Sequence, residues 1–153
     1  MGKGATFTVE LPIVQEAFLR EEVEPHARKR ILVIDDEEEV LRLIIRILEG
    51  MRHQVVALAR GETTLDKMDK EEYDLIISDV RMPGMGGQEL HQQIPKRLPK
   101  LAECMIFTTG DTVSDSTRAF LQNVGTPYVT KPFPIEDWGQ AIDEVLKREK
   151  RSP

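Results

Sequence analysis

Short unbroken apolar runs alternate with longer periodic stripes along most of this chain. Ile31-Leu32-Val33-Ile34, Leu75-Ile76-Ile77 and Cys104-Met105-Ile106-Phe107 have the pattern of strands covered on both faces. Gln54 to Leu58 and Tyr128 to Thr130 read as two more strands. Between these runs the period changes. Val40, Leu43, Ile44, Ile47, Leu48 and Met51 recur at three- and four-residue spacing and predict an amphipathic helix, with Glu37 to Glu39 in its first turn, where the helix dipole favours acids. Glu62 to Met68 predicts a second helix. Gln88 to Ile94 predicts a third, ended by Pro95 and Pro99. Thr112 to Val124 predicts a fourth, with Ser114 or Asp115 as cap, and Gly125-Thr126-Pro127 turns the chain after it. Ile135 to Lys147 predicts a fifth, with Ile135, Trp138, Ile142, Val145 and Leu146 on one stripe. His53 reads as a loop residue and Cys104 as a small buried one.

From residue 30 onward strand and helix thus alternate five times. That order predicts an α/β fold, a flavodoxin-like doubly wound (βα)5 sandwich whose parallel sheet runs 2-1-3-4-5. The stretch before it differs. Residues 1–13 alternate Phe7, Val9 and Leu11 with polar residues, the period of a half-buried strand that cannot stand alone. Residues 14–29, charged and interrupted by Pro25, read as a linker in which His26 is a solvated histidine. The expected domain spans 30–150, with 151–153 as a tail.

Composition narrows the function classes. A formal net charge of -6 disfavours a general nucleic-acid or membrane-surface binder, and the few basic residues from Lys147 to Arg151 suit a helix C-terminus instead. The single cysteine excludes an internal disulfide framework, and no Cys/His cluster has zinc spacing. With no apolar run long enough to span a bilayer and no signal-peptide pattern, the expected location is cytoplasmic, with any membrane anchor of a parent protein lying upstream.

Chemistry concentrates at the strand ends. Asp35 and Asp36 follow the first strand, Asp79 the third, Thr109 the fourth and Lys131 the fifth. Asp79 taken alone reads equally well as a turn cap. In a doubly wound sheet, however, these ends share one edge, and the first and third strands flank the switch point where ligands bind. Three carboxylates about 4 Å apart repel by roughly 4 kcal/mol per pair at an effective dielectric of about 20, so a cation belongs among them. Lys131 supplies one charge, and a hard, oxygen-bound divalent ion, Mg2+, suits the remainder. Carboxylate, ammonium, hydroxyl and metal together form a site for a phosphoryl group.

These segments resemble the receiver domain of two-component response regulators: ILVIDDEEEV carries the acidic pair, DLIISDVRMPGMGG the acceptor loop, MIFTTG the hydroxyl and YVTKPF the lysine. The resemblance implies that Asp79 accepts phosphate from a phosphohistidine. It implies that Asp36 binds Mg2+ directly, Asp35 through water and Arg81 through its backbone carbonyl. It further implies a cis peptide between Lys131 and Pro132, and a switch in which Thr109 moves toward the phosphate while Tyr128 turns inward, altering the surface of the fourth helix, fifth strand and fifth helix. Tyr128 also fits a plain half-buried strand aromatic. Gly86 departs from the acid or amide common in the family, which is expected to loosen the loop. Arg81 and Asp111 occupy positions that tune water access, and the expectation is that they pair across the mouth; an ordinary exposed pair, or Asp111 as a helix cap, is the alternative.

The string GKGATFTVELP resembles the end of the ATP-binding domain of sensor histidine kinases. Together the two resemblances imply the C-terminal receiver of a hybrid histidine kinase whose catalytic body is absent from this chain. The receiver catalyses its own phosphorylation and dephosphorylation, with a kinase phosphohistidine domain and a histidine phosphotransfer protein as partners. It is expected as a monomer or a weak phosphorylation-dependent dimer, without direct transcriptional output, since no DNA-binding effector follows residue 150. A stand-alone regulator and a non-phosphorylated pseudo-receiver are the alternatives. A phosphatase of the haloacid dehalogenase type is disfavoured, because Asp35-Asp36-Glu37-Glu38-Glu39 lacks its Asp-x-Asp-x-Thr/Val signature.

Overall fold

The unbroken apolar runs become the interior of a sheet. In the computed structural model the described residues are 28–110, 114–131 and 133–151. They form β1 (Arg30–Ile34), α1 (Glu38–Gly50), β2 (Gln54–Leu58), α2 (Glu62–Lys70), β3 (Leu75–Asp79), α3 (Gly87–Arg97), a one-turn helix Pro99–Ala102, β4 (Met105–Thr109), α4 (Asp115–Val124), β5 (Tyr128–Thr130) and α5 (Ile135–Arg151). The five strands pair in parallel in the order β2-β1-β3-β4-β5, as the alternation predicts.

Burial follows this order. Successive strand side chains point to opposite faces, yet Ile31 to Ile34, Leu75 to Asp79 and Met105 to Thr109 are all buried, so both faces of the three central strands are covered. The edge strands β2 and β5 are only partly buried. Ile44 and Leu48 of α1, Leu90 and Ile94 of α3, and Trp138, Ile142 and Val145 of α5 complete the core at zero exposure. Phe107 stacks edge-on against Phe120 at 5.1 Å, and Trp138 lies 5.4 Å from Phe133.

Several expectations need correction. Leu41, not Leu43, joins the buried face of α1; Leu43 sits one residue, about 100° of helical turn, from Ile44 and is 46% exposed. Ile135 opens α5 ahead of the first buried turn and is 65% exposed. Pro95 does not end α3. It lies on the exposed side, where water can take the carbonyl its missing N–H cannot reach, and the helix runs on to Arg97. Pro99 then opens the one-turn helix, a position that suits its fixed φ. His53 is a loop residue as expected, but a buried one whose Nδ1 accepts the Lys29 N–H at 3.2 Å. Thr108 and Thr109 belong to β4 rather than to the turn after it.

Ser114 is the cap of α4, accepting the Thr117 N–H, and Gly125 closes that helix at φ +67°, a conformation costly for other residues. The strand expected within residues 1–13, linker residues 14–27 with His26, Asp111 and the Lys131–Pro132 peptide lie outside the described residues. No helix among the described residues is long and apolar enough to cross a membrane.

Candidate functional site

Four strands run out at residues with chemistry, and the register places them side by side. Ile34 is opposite Ser78, so Asp35, one residue on, is level with Asp79. Asp79 is opposite Thr108, and Thr109 opposite Thr130. The Lys131 N–H then donates to the Thr109 carbonyl at 2.9 Å, fixing where the lysine leaves the sheet.

Asp35, Asp36 and Asp79 each offer an oxygen within 4.8 Å of the other two. Asp35 and Asp79 are buried and Asp36 is exposed. The Lys131 Nζ stands 3.4 Å from Asp79 Oδ2 and 3.8 Å from Asp35 Oδ2. It lies 3.0 Å from Glu37 Oε1. Two amides steady the buried acids: Glu37 N–H donates to Asp35 Oδ1 at 2.9 Å and Arg81 N–H to Asp79 Oδ1 at 3.2 Å.

Burial dominates the electrostatics. It pushes Asp35 up to about 6, against the Glu37 amide and Lys131 and with the help of the Asp79 charge. Burial also raises Asp79, opposed by the Arg81 amide and Lys131. For Lys131 burial acts downward, but the Glu37, Asp79 and Asp35 carboxylates outweigh it and hold the ammonium above its ordinary value. Three carboxylates, Glu37, Asp79 and Asp35, therefore share one ammonium, with Asp36 beside the two aspartates. Asp35 Oδ2 is buried without a hydrogen-bond partner, the condition that a bound cation would relieve. Oxygen donors at this spacing fit a hard divalent ion.

The family model described as "Response regulator receiver domain" matches residues 31–143. The chain belongs to this family. Its receiver is 34% identical over 119 residues to the heme response regulator HssR of Staphylococcus epidermidis, covering 76% of this chain and 51% of that protein. It thus spans about half the length of the curated relatives it matches. Among solved structures it is similar to a CheY-like receiver domain protein of Methanospirillum hungatei JF-1, with TM-score 0.71 and 30% identity over 82% of this chain and 98% of that one. It is also similar to TrrA of Thermotoga maritima, solved in complex with Mg(2+)-BeF, with TM-score 0.67 and 29% identity over 77% and 99% of the two chains.

The receiver brings together Asp35, Asp36, Asp79 and Lys131, with Thr109 buried beside them. Tyr128 is 50% exposed on the edge strand. Asp111 lies outside the described residues; Arg81 Nη2 donates to the hydroxyls of Ser114 and Ser116, the latter at 3.0 Å. Two side-chain carboxylates tie the loop at Gly86. The Gly86 N–H is held by Glu89 Oε2 at 3.0 Å and the Met85 N–H by Glu62 Oε1 at 3.2 Å. A side chain at position 86 would also press on the Val80 carbonyl at 2.7 Å.

Sequence reasoning missed Glu37 at Lys131, Glu62 at the acceptor loop, and the serines facing Arg81. Only Glu37 left a signal, as the third acid in the run after β1. A cavity of about 920 Å³ around Arg30, Tyr73 and Cys104 shares no residue with the acidic site.

Proposed function

We propose that this receiver is a phosphoacceptor: an Asp79 oxygen attacks the phosphorus of a phosphohistidine, the P–N bond breaks, and the histidine leaves. The observation that carries the reading is Asp79 buried within 4.8 Å of Asp35 and Asp36, with the Lys131 ammonium 3.4 Å away. Asp79 is held by the Arg81 amide, which keeps one oxygen engaged and leaves the other facing the lysine. Lys131 keeps its proton and offsets charge on the phosphoryl oxygens, and Thr109 donates a hydrogen bond as the switch residue. Asp36, Asp35, Asp79 and the Arg81 carbonyl would hold Mg2+, which when bound neutralises the acids and the phosphoryl group. Tyr128 and the α4-β5-α5 surface would carry the change outward.

The kinase-like string before residue 14 supports placement in a hybrid histidine kinase, with a histidine phosphotransfer protein as onward acceptor and a cytoplasmic location. A weak phosphorylation-dependent dimer is compatible with the exposed β5 edge.

Incubation with Mg2+ and acetyl phosphate tests the proposal: mass spectrometry should show one phosphoryl group on the wild type and none on Asp79→Asn. No uptake from acetyl phosphate or from a histidine kinase would sink it.

A further inference from the structure

Glu37 occupies the position before the first turn of α1, yet its side chain makes no cap hydrogen bond there. Its Oε1 instead accepts from Lys131 Nζ at 3.0 Å, closer than the lysine's approach to Asp79 at 3.4 Å or to Asp35 at 3.8 Å. The pair joins residues 94 apart in sequence, so it is no local helix pairing. Glu37 is 61% exposed and Lys131 23%, which puts their contact at the mouth of the site.

Resting on the reading of Asp79 as phosphoacceptor, we propose that Glu37 is a positioning residue that holds the Lys131 ammonium at the mouth and competes with the incoming phosphoryl oxygens for it. A lysine ammonium has three donors, and in the resting site three carboxylates already surround it. A phosphoryl group on Asp79 brings further anionic acceptors, and the Glu37 carboxylate repels them. Among the surrounding acids Glu37 alone is largely exposed, so it is the one that can yield its place to the phosphoryl group at little desolvation cost. With acetyl phosphate the balance is simple: the Asp79 oxygen forms the new O–P bond, acetate departs with the electron pair of the broken P–O bond, and Lys131 changes partners without losing its proton. Glu37 therefore sets how readily the site accepts an anion, and the Asp79 chemistry itself is unaltered.

Beryllofluoride, a phosphoryl mimic, is the probe, titrated calorimetrically at saturating Mg2+ into wild type, Glu37→Gln, Glu38→Gln and the Lys131→Ala pair with and without Glu37→Gln. Glu38 is an equally acidic neighbour that pairs with Arg42 and does not reach Lys131, so it controls for the general field. For a partly exposed pair the expected gain in Glu37→Gln is roughly three- to fivefold tighter binding, with Glu38→Gln close to wild type. The gain should vanish in the Lys131→Ala background, a coupling that a merely structural role for Glu37 would not produce. Unchanged or weaker binding by Glu37→Gln, an equal gain in Glu38→Gln, or a gain that persists without Lys131 overturns the proposal. Wild-type binding that Asp79→Asn abolishes upholds the phosphoacceptor reading whichever way Glu37 behaves; no wild-type binding overturns both.

Discussion

Replacing Asp35 with asparagine should make the metal-free receiver more stable, although it removes a site residue. Asp35 is fully buried, and its carboxyl is raised from 3.8 to about 6, first by burial. A carboxyl raised on folding contributes stability that is fully present below its unfolded value and lost as pH rises through its folded value. Above pH 6 the charged group therefore costs the fold about two pKa shifts of 1.36 kcal/mol each, roughly 3 kcal/mol in all. Asparagine has the shape of the neutral acid and keeps an oxygen for the Glu37 N–H at 2.9 Å, so it should recover most of that cost. In EDTA at pH 7.5, thermal or urea unfolding should show Asp35→Asn stabilised by about 2 to 3 kcal/mol, or roughly 10 °C for a domain of this size. At pH 4.5 the wild-type group is largely neutral in the fold, and the difference should shrink to about 1 kcal/mol. Adding Mg2+ should stabilise the wild type by mass action and the variant less. Equal stabilities at pH 7.5, or a gain that does not depend on pH, would refute the claim that a buried, unneutralised charge at Asp35 strains the resting site.

Other positions give independent tests. A methyl group on Gly87 would meet the Asp79 carbonyl at 2.6 Å and the Phe107 ring at 3.0 Å, so Gly87→Ala should lose about 1 to 3 kcal/mol in urea melts and take up phosphate more slowly; wild-type behaviour would show that this contact is slack. Arg52 is the one non-glycine among the described residues at positive φ, +71°, so Arg52→Gly should gain on the order of 0.5 to 1 kcal/mol in the same assay, and a loss would mean the side chain does more than tolerate the turn. Arg81→Ala removes the guanidinium that spans from the acceptor loop to Ser114 and Ser116, and it should shorten the phosphoryl half-life and speed amide exchange in the first turn of α4. An unchanged or longer half-life ends the idea that this side chain restricts water.

The fold was legible because its determinants are local and repetitive. Unbroken runs such as Leu75-Ile76-Ile77 suit strands covered on both faces, and strict strand–helix alternation suits right-handed parallel crossovers, for which 2-1-3-4-5 is a common order. The acids, Thr109 and Lys131 were legible for the same reason, since a parallel sheet carries all its strand ends to one edge. What the sequence could not decide depends on distances between side chains far apart in the chain. Which acid lies nearest Lys131 is set by where α1 begins above the sheet, and that made Glu37 a neighbour across 94 residues. Whether Leu41 or Leu43 is buried turned on how α1 is rotated against β1 and β2, a matter of packing that three- and four-residue spacing leaves open. The turn to αL fell on Arg52 and not on Gly50, because Gly50 still belongs to the helix. Local pattern determined which residues meet at the sheet edge; tertiary packing alone decided how closely they approach and how much water they lose, and those two quantities set the charge balance around Asp79.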